Sequence, residues 1–170
     1  MNKRIILYKE GVNIMSTLQD AEQLAYKYFK DKIDKGGNPY MKHLNFVKDH
    51  CILENSKIVG VLHDILEDTN CSISELREVI VHEDLIQSIQ LLTRKQSEKY
   101  SEYIDRIVNS KNINAIEVKL HDLENNMDIT RLKSIEQKDI DRIRKYKKAY
   151  NRIWSTWIEL FLNEYKIENK

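Results

Sequence analysis

A chain of 170 residues that holds only 4 glycines and 1 proline has few places where it can turn sharply. An array of many short strands needs frequent Gly and Pro punctuation, so this scarcity predicts a mostly helical protein. Two of the glycines and the proline fall together in Asp34-Lys35-Gly36-Gly37-Asn38-Pro39, the strongest loop signal in the chain. Elsewhere apolar residues recur at helical spacing, which predicts an all-α, single-domain helical bundle.

Individual helices can be placed from stripes and caps. Ser16 or Thr17 can cap a first helix whose stripe is Leu18, Ala21, Leu24, Ala25, Tyr28 and Phe29. A second runs from about Met41 to Leu53, with Leu44, Val47 and Cys51 inward and His43 beside them. Ser56 is expected to cap a third, with Ile58, Val59, Leu62, Ile65 and Leu66 flanking His63. Ser72 opens a fourth, and Glu75 three residues on gives a capping-box pattern. The fifth and sixth span about Asp84 to Thr93 and Glu98 to Asn109; the seventh covers Asn112 to Met127. After a linker around Leu132-Lys133-Ser134, a long helix begins near Gln137. Its apolar face is Ile140, Ile143, Tyr146, Tyr150, Ile153, Trp154, Trp157 and Leu160. Trp154, Trp157, Leu160 and Phe161 can complete the core or form the seam of a homodimer, and the core is the preferred assignment.

Composition excludes several function classes. The chain carries 28 Lys+Arg against 27 Asp+Glu, a net charge of +1, so no basic footprint for nucleic acid exists. No apolar run approaches the roughly 20 residues of a membrane span. Cys51 and Cys71 form no CxxC pair and are too few for a disulfide scaffold, so a reduced, cytoplasmic setting is expected. Residues 1–16 read as an appendage outside a domain covering 17–168, and Met15 is a candidate initiator beside Met1.

The chemistry concentrates in Val61-Leu62-His63-Asp64-Ile65-Leu66-Glu67-Asp68-Thr69. Here an apolar helical stretch gives up adjacent positions to a histidine and an aspartate. His43 lies upstream and Asp122 downstream, completing an H…HD…D set drawn from three helical segments. Unpaired buried charge is costly, and coordination removes that cost. Two imidazoles and two carboxylates suit a divalent ion of intermediate hardness such as Mn²⁺, with Fe²⁺ or Zn²⁺ as alternatives and Mg²⁺ less well matched. Adjacent residues on a helix diverge by about 100°, so His63 and Asp64 can share an ion only from a helix edge facing a cleft. Glu67 and Asp68 follow one turn later and are expected to orient the attacking water and handle its proton.

With these motifs in view, the chain resembles the HD-domain phosphohydrolases, in particular the RelA/SpoT-type alarmone hydrolases and their small stand-alone members. The resemblance runs through Gly37-Asn38-Pro39-Tyr40-Met41-Lys42-His43, the His63–Thr69 motif, Leu91-Leu92-Thr93-Arg94, Tyr100–Ile107 and Val118–Asp128. It covers roughly residues 17–155. It implies a helical bundle around one Mn²⁺ held by His43, His63, Asp64 and Asp122, with Glu67 and Asp68 activating water and Asn126 contacting the substrate. The activity implied is removal of the 3′-pyrophosphate of guanosine tetra- or pentaphosphate, giving GDP or GTP. A polyphosphate beside so many acids needs cations, and Arg94, Arg106 and Arg131 within the resembling segments are the candidates, with Tyr103 as a hydroxyl donor.

Two departures from the family pattern stand out. His121 occupies a place where larger hydrolases carry a small residue; a fifth ligand or a surface histidine would each explain it, and the surface assignment is preferred. The family's base-packing Arg or Lys has no clear match, with Lys32 and Lys35 nearest and Lys42 next. Two rival functions remain alongside the alarmone hydrolase. One is an HD phosphatase on another nucleotide, a deoxynucleoside monophosphate or a dinucleotide 2′-phosphate. The other is a non-catalytic helical regulatory module.

Overall fold

Thr17 caps the first helix, its side chain accepting the Asp20 N–H at 3.1 Å, and α1 (Leu18–Phe29) turns Ala21, Leu24, Ala25 and Phe29 inward. The computed structural model describes residues 17–132 and 134–164, without the side chains of Arg131 and Glu164. The N-terminal appendage, the choice of initiator, Ser16, the last residues of the expected domain and the Arg131 side chain therefore lie outside the described residues. Further along the chain come α2 (Met41–His50), α3 (Glu54–Leu62), the short α4 (Ile65–Asp68), α5 (Ile73–Val79), α6 (Glu83–Leu92), α7 (Tyr100–Ser110), α8 (Ile113–Met127) and the long α9 (Gln137–Glu164). A 3₁₀ turn, Ile129–Arg131, separates the last two. Among the described residues there is no strand, only an isolated bridge between Ile33 and Pro39. No helix among them is long and apolar enough to cross a membrane.

The Gly-Pro loop folds back on itself. The Asp34 carboxylate accepts the N–H groups of Gly36 and Asn38, both at 2.8 Å, and Gly37 takes φ 86°, a left-handed value that a side chain disfavours. Tyr40 N–H closes the loop on Lys32 C=O at 2.8 Å. The turn delivers Tyr40 and then His43 at the start of α2.

Helix α8 is the hub, packed by α2, α3, α6, α7 and α9. Ala115, Ile116, Val118, Leu120 and Leu123 are buried on it, but so are Glu117, Lys119, Asp122 and Asn125. A helix surrounded on all sides buries its polar residues too, and each must then find a partner. Glu117 finds one by accepting the backbone N–H groups of Ile52 and Leu53 at 2.8 and 3.3 Å. This contact stops α2 at His50 rather than at Leu53 and sets the entry to α3.

Some local signals are overridden. Ser56 is not the cap of α3. It sits fully buried within the helix and donates to Asn114 at 3.0 Å, while Leu53 takes the cap position. Ser72 does cap α5, accepting the Glu75 N–H, but Glu75 does not reciprocate because its carboxylate is held by Lys27 and Tyr28. The apolar face of α9 is narrower than its sequence stripe. Ala149, Ile153 and Trp157 are buried, whereas Ile140 and Trp154 are exposed. Adjacent residues diverge by about 100°, so Ile153 and Trp154 cannot both face α8.

Candidate functional site

The run expected to be one helix through His63-Asp64 is broken there. Helix α3 ends at Leu62, Asp64 takes φ −96°, ψ 0°, and α4 starts at Ile65. The break resolves the divergence problem: outside a regular helix, two neighbouring side chains can reach one point. His63 Nε2 lies 3.1 Å from Asp64 Oδ2 and 3.3 Å from His43 Nε2. His43 Nε2 is 3.5 Å from Asp64 Oδ2. One donor atom from each of His43, His63 and Asp64 lies within 4.8 Å of the others. Asp122 stands outside that tightest trio, yet its Oδ1 is 3.4 Å from His43 Nε2 and 3.7 Å from His63 Nε2.

The outer nitrogens are fixed as well. His43 Nδ1 pairs with Asn125 Oδ1 at 2.8 Å, and His63 Nδ1 with the Gly60 carbonyl at 2.7 Å. An acceptor at Nδ1 places a proton there and turns Nε2 toward the cluster, the usual way a ligating imidazole is oriented. Tyr40 donates to Asp64 Oδ2 at 2.6 Å while its ring stacks on Phe29. Lys119 donates to Asp122 Oδ2 at 2.6 Å, and Asn126 donates to Asp122 Oδ1. Burial opposes charge on both imidazoles, but the facing carboxylates outweigh it and raise both above the ordinary histidine range. Burial also opposes charge on Asp64 and Asp122; His63 for the first and Lys119 for the second hold each well below the usual carboxylate range. Buried nitrogen and oxygen donors in this proportion fit a divalent ion.

These residues form one end of a cleft of about 450 Å³. Glu67 and Asp68 line it from α4. Glu67 accepts the Arg94 backbone N–H at 2.8 Å, and burial raises its pKa. Asp68 is ion-paired with Lys32 at 2.6 Å, so the residue considered for base packing is engaged with one considered for catalysis. Lys35, Arg94 and Asn126 also line the cleft; the exposed Lys42 does not. The Arg94 guanidinium leans on the Glu98 carbonyl at 2.7 and 3.1 Å.

Two expected substrate contacts have other work. Arg106 is absent from the cleft lining, because its guanidinium grips both oxygens of Glu98 at 2.7 and 2.9 Å and the carbonyls of Leu91 and Thr93. Tyr103 lines the cleft with its ring, but its buried hydroxyl donates to the Leu92 carbonyl at 2.6 Å. His121 also stays out of the cleft, half-buried against Glu124 at 2.7 Å and near His50.

Sequence reasoning missed Tyr40, Lys119, Asn125, Arg142, Lys145 and Tyr146. Lys119 had a signal, since it lies three residues before Asp122 and hence on its face of α8. Arg142 and Lys145 had none, because cations flanking an apolar stripe look solvated.

No protein-family profile matches the chain, and no curated protein does. Solved structures do match. One, described as a metazoan ortholog of SpoT that hydrolyzes ppGpp and plays a role in starvation responses, superposes with a TM-score of 0.64 at 19% identity. The match covers 87% of this chain and 95% of that one. The chain therefore has the all-α HD-domain fold of that structure.

Proposed function

We propose that this chain is a metal-dependent phosphohydrolase that removes the 3′-pyrophosphate of guanosine tetra- or pentaphosphate, releasing pyrophosphate and GDP or GTP. The observation that carries the reading is the meeting of His43, His63, Asp64 and Asp122 directly beside the acidic pair Glu67 and Asp68. A structural cluster has no need of two further acids lining the same cleft. The fold shared with a protein described as hydrolyzing ppGpp supports the substrate class.

In this reading His43, His63, Asp64 and Asp122 would hold Mn²⁺, which would supply acidification of a water and offset phosphate charge. Burial raises the pKa of Glu67, which suits it to accept the proton of the water. Asp68, steadied by Lys32, orients the water. Lys119 and Asn126 position Asp122, and Tyr40 positions Asp64. Lys35, Arg94, Arg142 and Lys145 supply the positive wall that a polyphosphate needs.

The test is a product assay on guanosine tetraphosphate with the purified protein, its metal content measured first, with and without added Mn²⁺. Pyrophosphate release that depends on Mn²⁺ is expected. Orthophosphate release from a different nucleotide would replace this reading with an HD phosphatase of another specificity. Metal-replete protein without turnover on any nucleotide would replace it with a non-catalytic module.

A further inference from the structure

Of the tyrosines that line the cleft, Tyr40 and Tyr103 each donate to a protein oxygen, Asp64 Oδ2 and the Leu92 carbonyl. The Tyr100 hydroxyl does not. It is shut off from water and has no hydrogen-bond partner among the described residues. A buried hydroxyl left unmet costs free energy that a phenyl ring in its place would not. Burial pushes its pKa up, and Lys119 and Asp122 are near enough for their charges to act on it. The group therefore stays protonated, an unmet donor on a residue that lines the cleft.

The ring also gathers cations. Lys145 Nζ lies 4.5 Å from its centroid and Arg94 Cζ 5.9 Å. Arg94 is engaged with the Glu98 carbonyl, and the neighbouring Arg142 with Asp139 at 3.0 Å. Lys145 Nζ lies over the Tyr100 and Tyr146 rings, and no carboxylate among the described residues is at ion-pair distance from it. Burial and the repulsion of Arg94 and Arg142 hold its pKa below the ordinary lysine value. An unmet donor and an unneutralised ammonium share one wall.

We propose that Tyr100 and Lys145 form a subsite for one phosphate group of the bound nucleotide, the hydroxyl donating to an anionic oxygen and the ammonium neutralising it. Lys145 is exposed and can swing off the ring to admit that oxygen. The assignment to a nucleotide rests on the phosphohydrolase reading; the subsite for a phosphate anion does not.

The test uses the full chain loaded with Mn²⁺, with Tyr100→Phe and Lys145→Gln as variants and inorganic tripolyphosphate as the calorimetric probe. Each variant is expected to bind the probe about tenfold more weakly or worse. Unliganded Tyr100→Phe should melt at or above the wild-type temperature, since it loses an unmet hydroxyl. With guanosine tetraphosphate, KM should rise by a similar factor while kcat stays within about twofold. Unchanged affinity in both variants, no binding by the wild type, or a lower melting temperature for Tyr100→Phe would overturn the proposal. A loss confined to Lys145→Gln overturns the role of the hydroxyl. Expected tripolyphosphate behaviour with guanosine tetraphosphate left intact would sink the proposed function and leave the subsite standing.

Discussion

His63 and Asp64 show how a single backbone break can set chemistry. In a continuous helix their side chains would point about 100° apart; with Asp64 at ψ 0° they come within 3.1 Å. Around them, Asn125, the Gly60 carbonyl, Tyr40 and Lys119 fix each donor from behind. The proposed roles separate under mutation. Asp64→Asn removes a charge from the donor set and should weaken metal retention by at least the roughly 10–100-fold that losing an outer-shell partner costs. Glu67→Gln should keep its metal and lose about 10²–10⁴ in kcat. Elemental analysis and steady-state kinetics on both variants check this, and equal activity in the two would reject the assignment.

At the scale of elements, the spacing of α2 and α3 sets the distance between the two imidazoles. Gly60 is where the helices touch: a Cβ there would lie 3.3 Å from the Lys48 Cα and 3.5 Å from Val47 Cγ1. Gly60→Ala gains about 1 kcal/mol of helix propensity while pushing α2 away by a few tenths of an ångström. The melting temperature should move by less than about 5 °C, while Mn²⁺ affinity falls about tenfold; unchanged affinity would show slack between the helices. Arg106 ties the end of α6 to α7 through Glu98, whose pKa its hydrogen bonds lower from 4.5 to about 2. As pH falls from 4.5 toward 2, the unfolded chain takes a proton there before the folded one does. The stability this pair supplies is therefore complete above that window and lost within it. Arg106→Ala should cost about 2–4 kcal/mol near neutrality and flatten the decline in acid. Urea titrations across that range decide it, and a variant with the wild-type slope would contradict the network.

The whole molecule is organised by α8, with α9 laid along it. Trp157 is 8% exposed and Trp154 41% exposed, although both belong to the same aromatic stripe. Trp157→Ala should cost about 3–5 kcal/mol and Trp154→Ala less than about 1 kcal/mol in equilibrium unfolding; equal costs would contradict the packing of α9. Helix existence was legible in the chain because periodicity and caps such as Thr17 and Ser72 act within a few residues. The convergence of the histidines and aspartates was legible because a buried polar residue on an apolar face demands a partner. Ser56, Tyr103 and Arg106 misled for the opposite reason: each is polar and suited to a cap or a ligand, but Asn114, the Leu92 carbonyl and Glu98 reach them first. By itself, then, the sequence determined an all-α protein with its donors on three segments. Only the tertiary structure decided which cations and hydroxyls hold the scaffold and which line the cleft. Periodicity tells which way a side chain faces along its own helix; it says nothing of the atom waiting on the helix opposite.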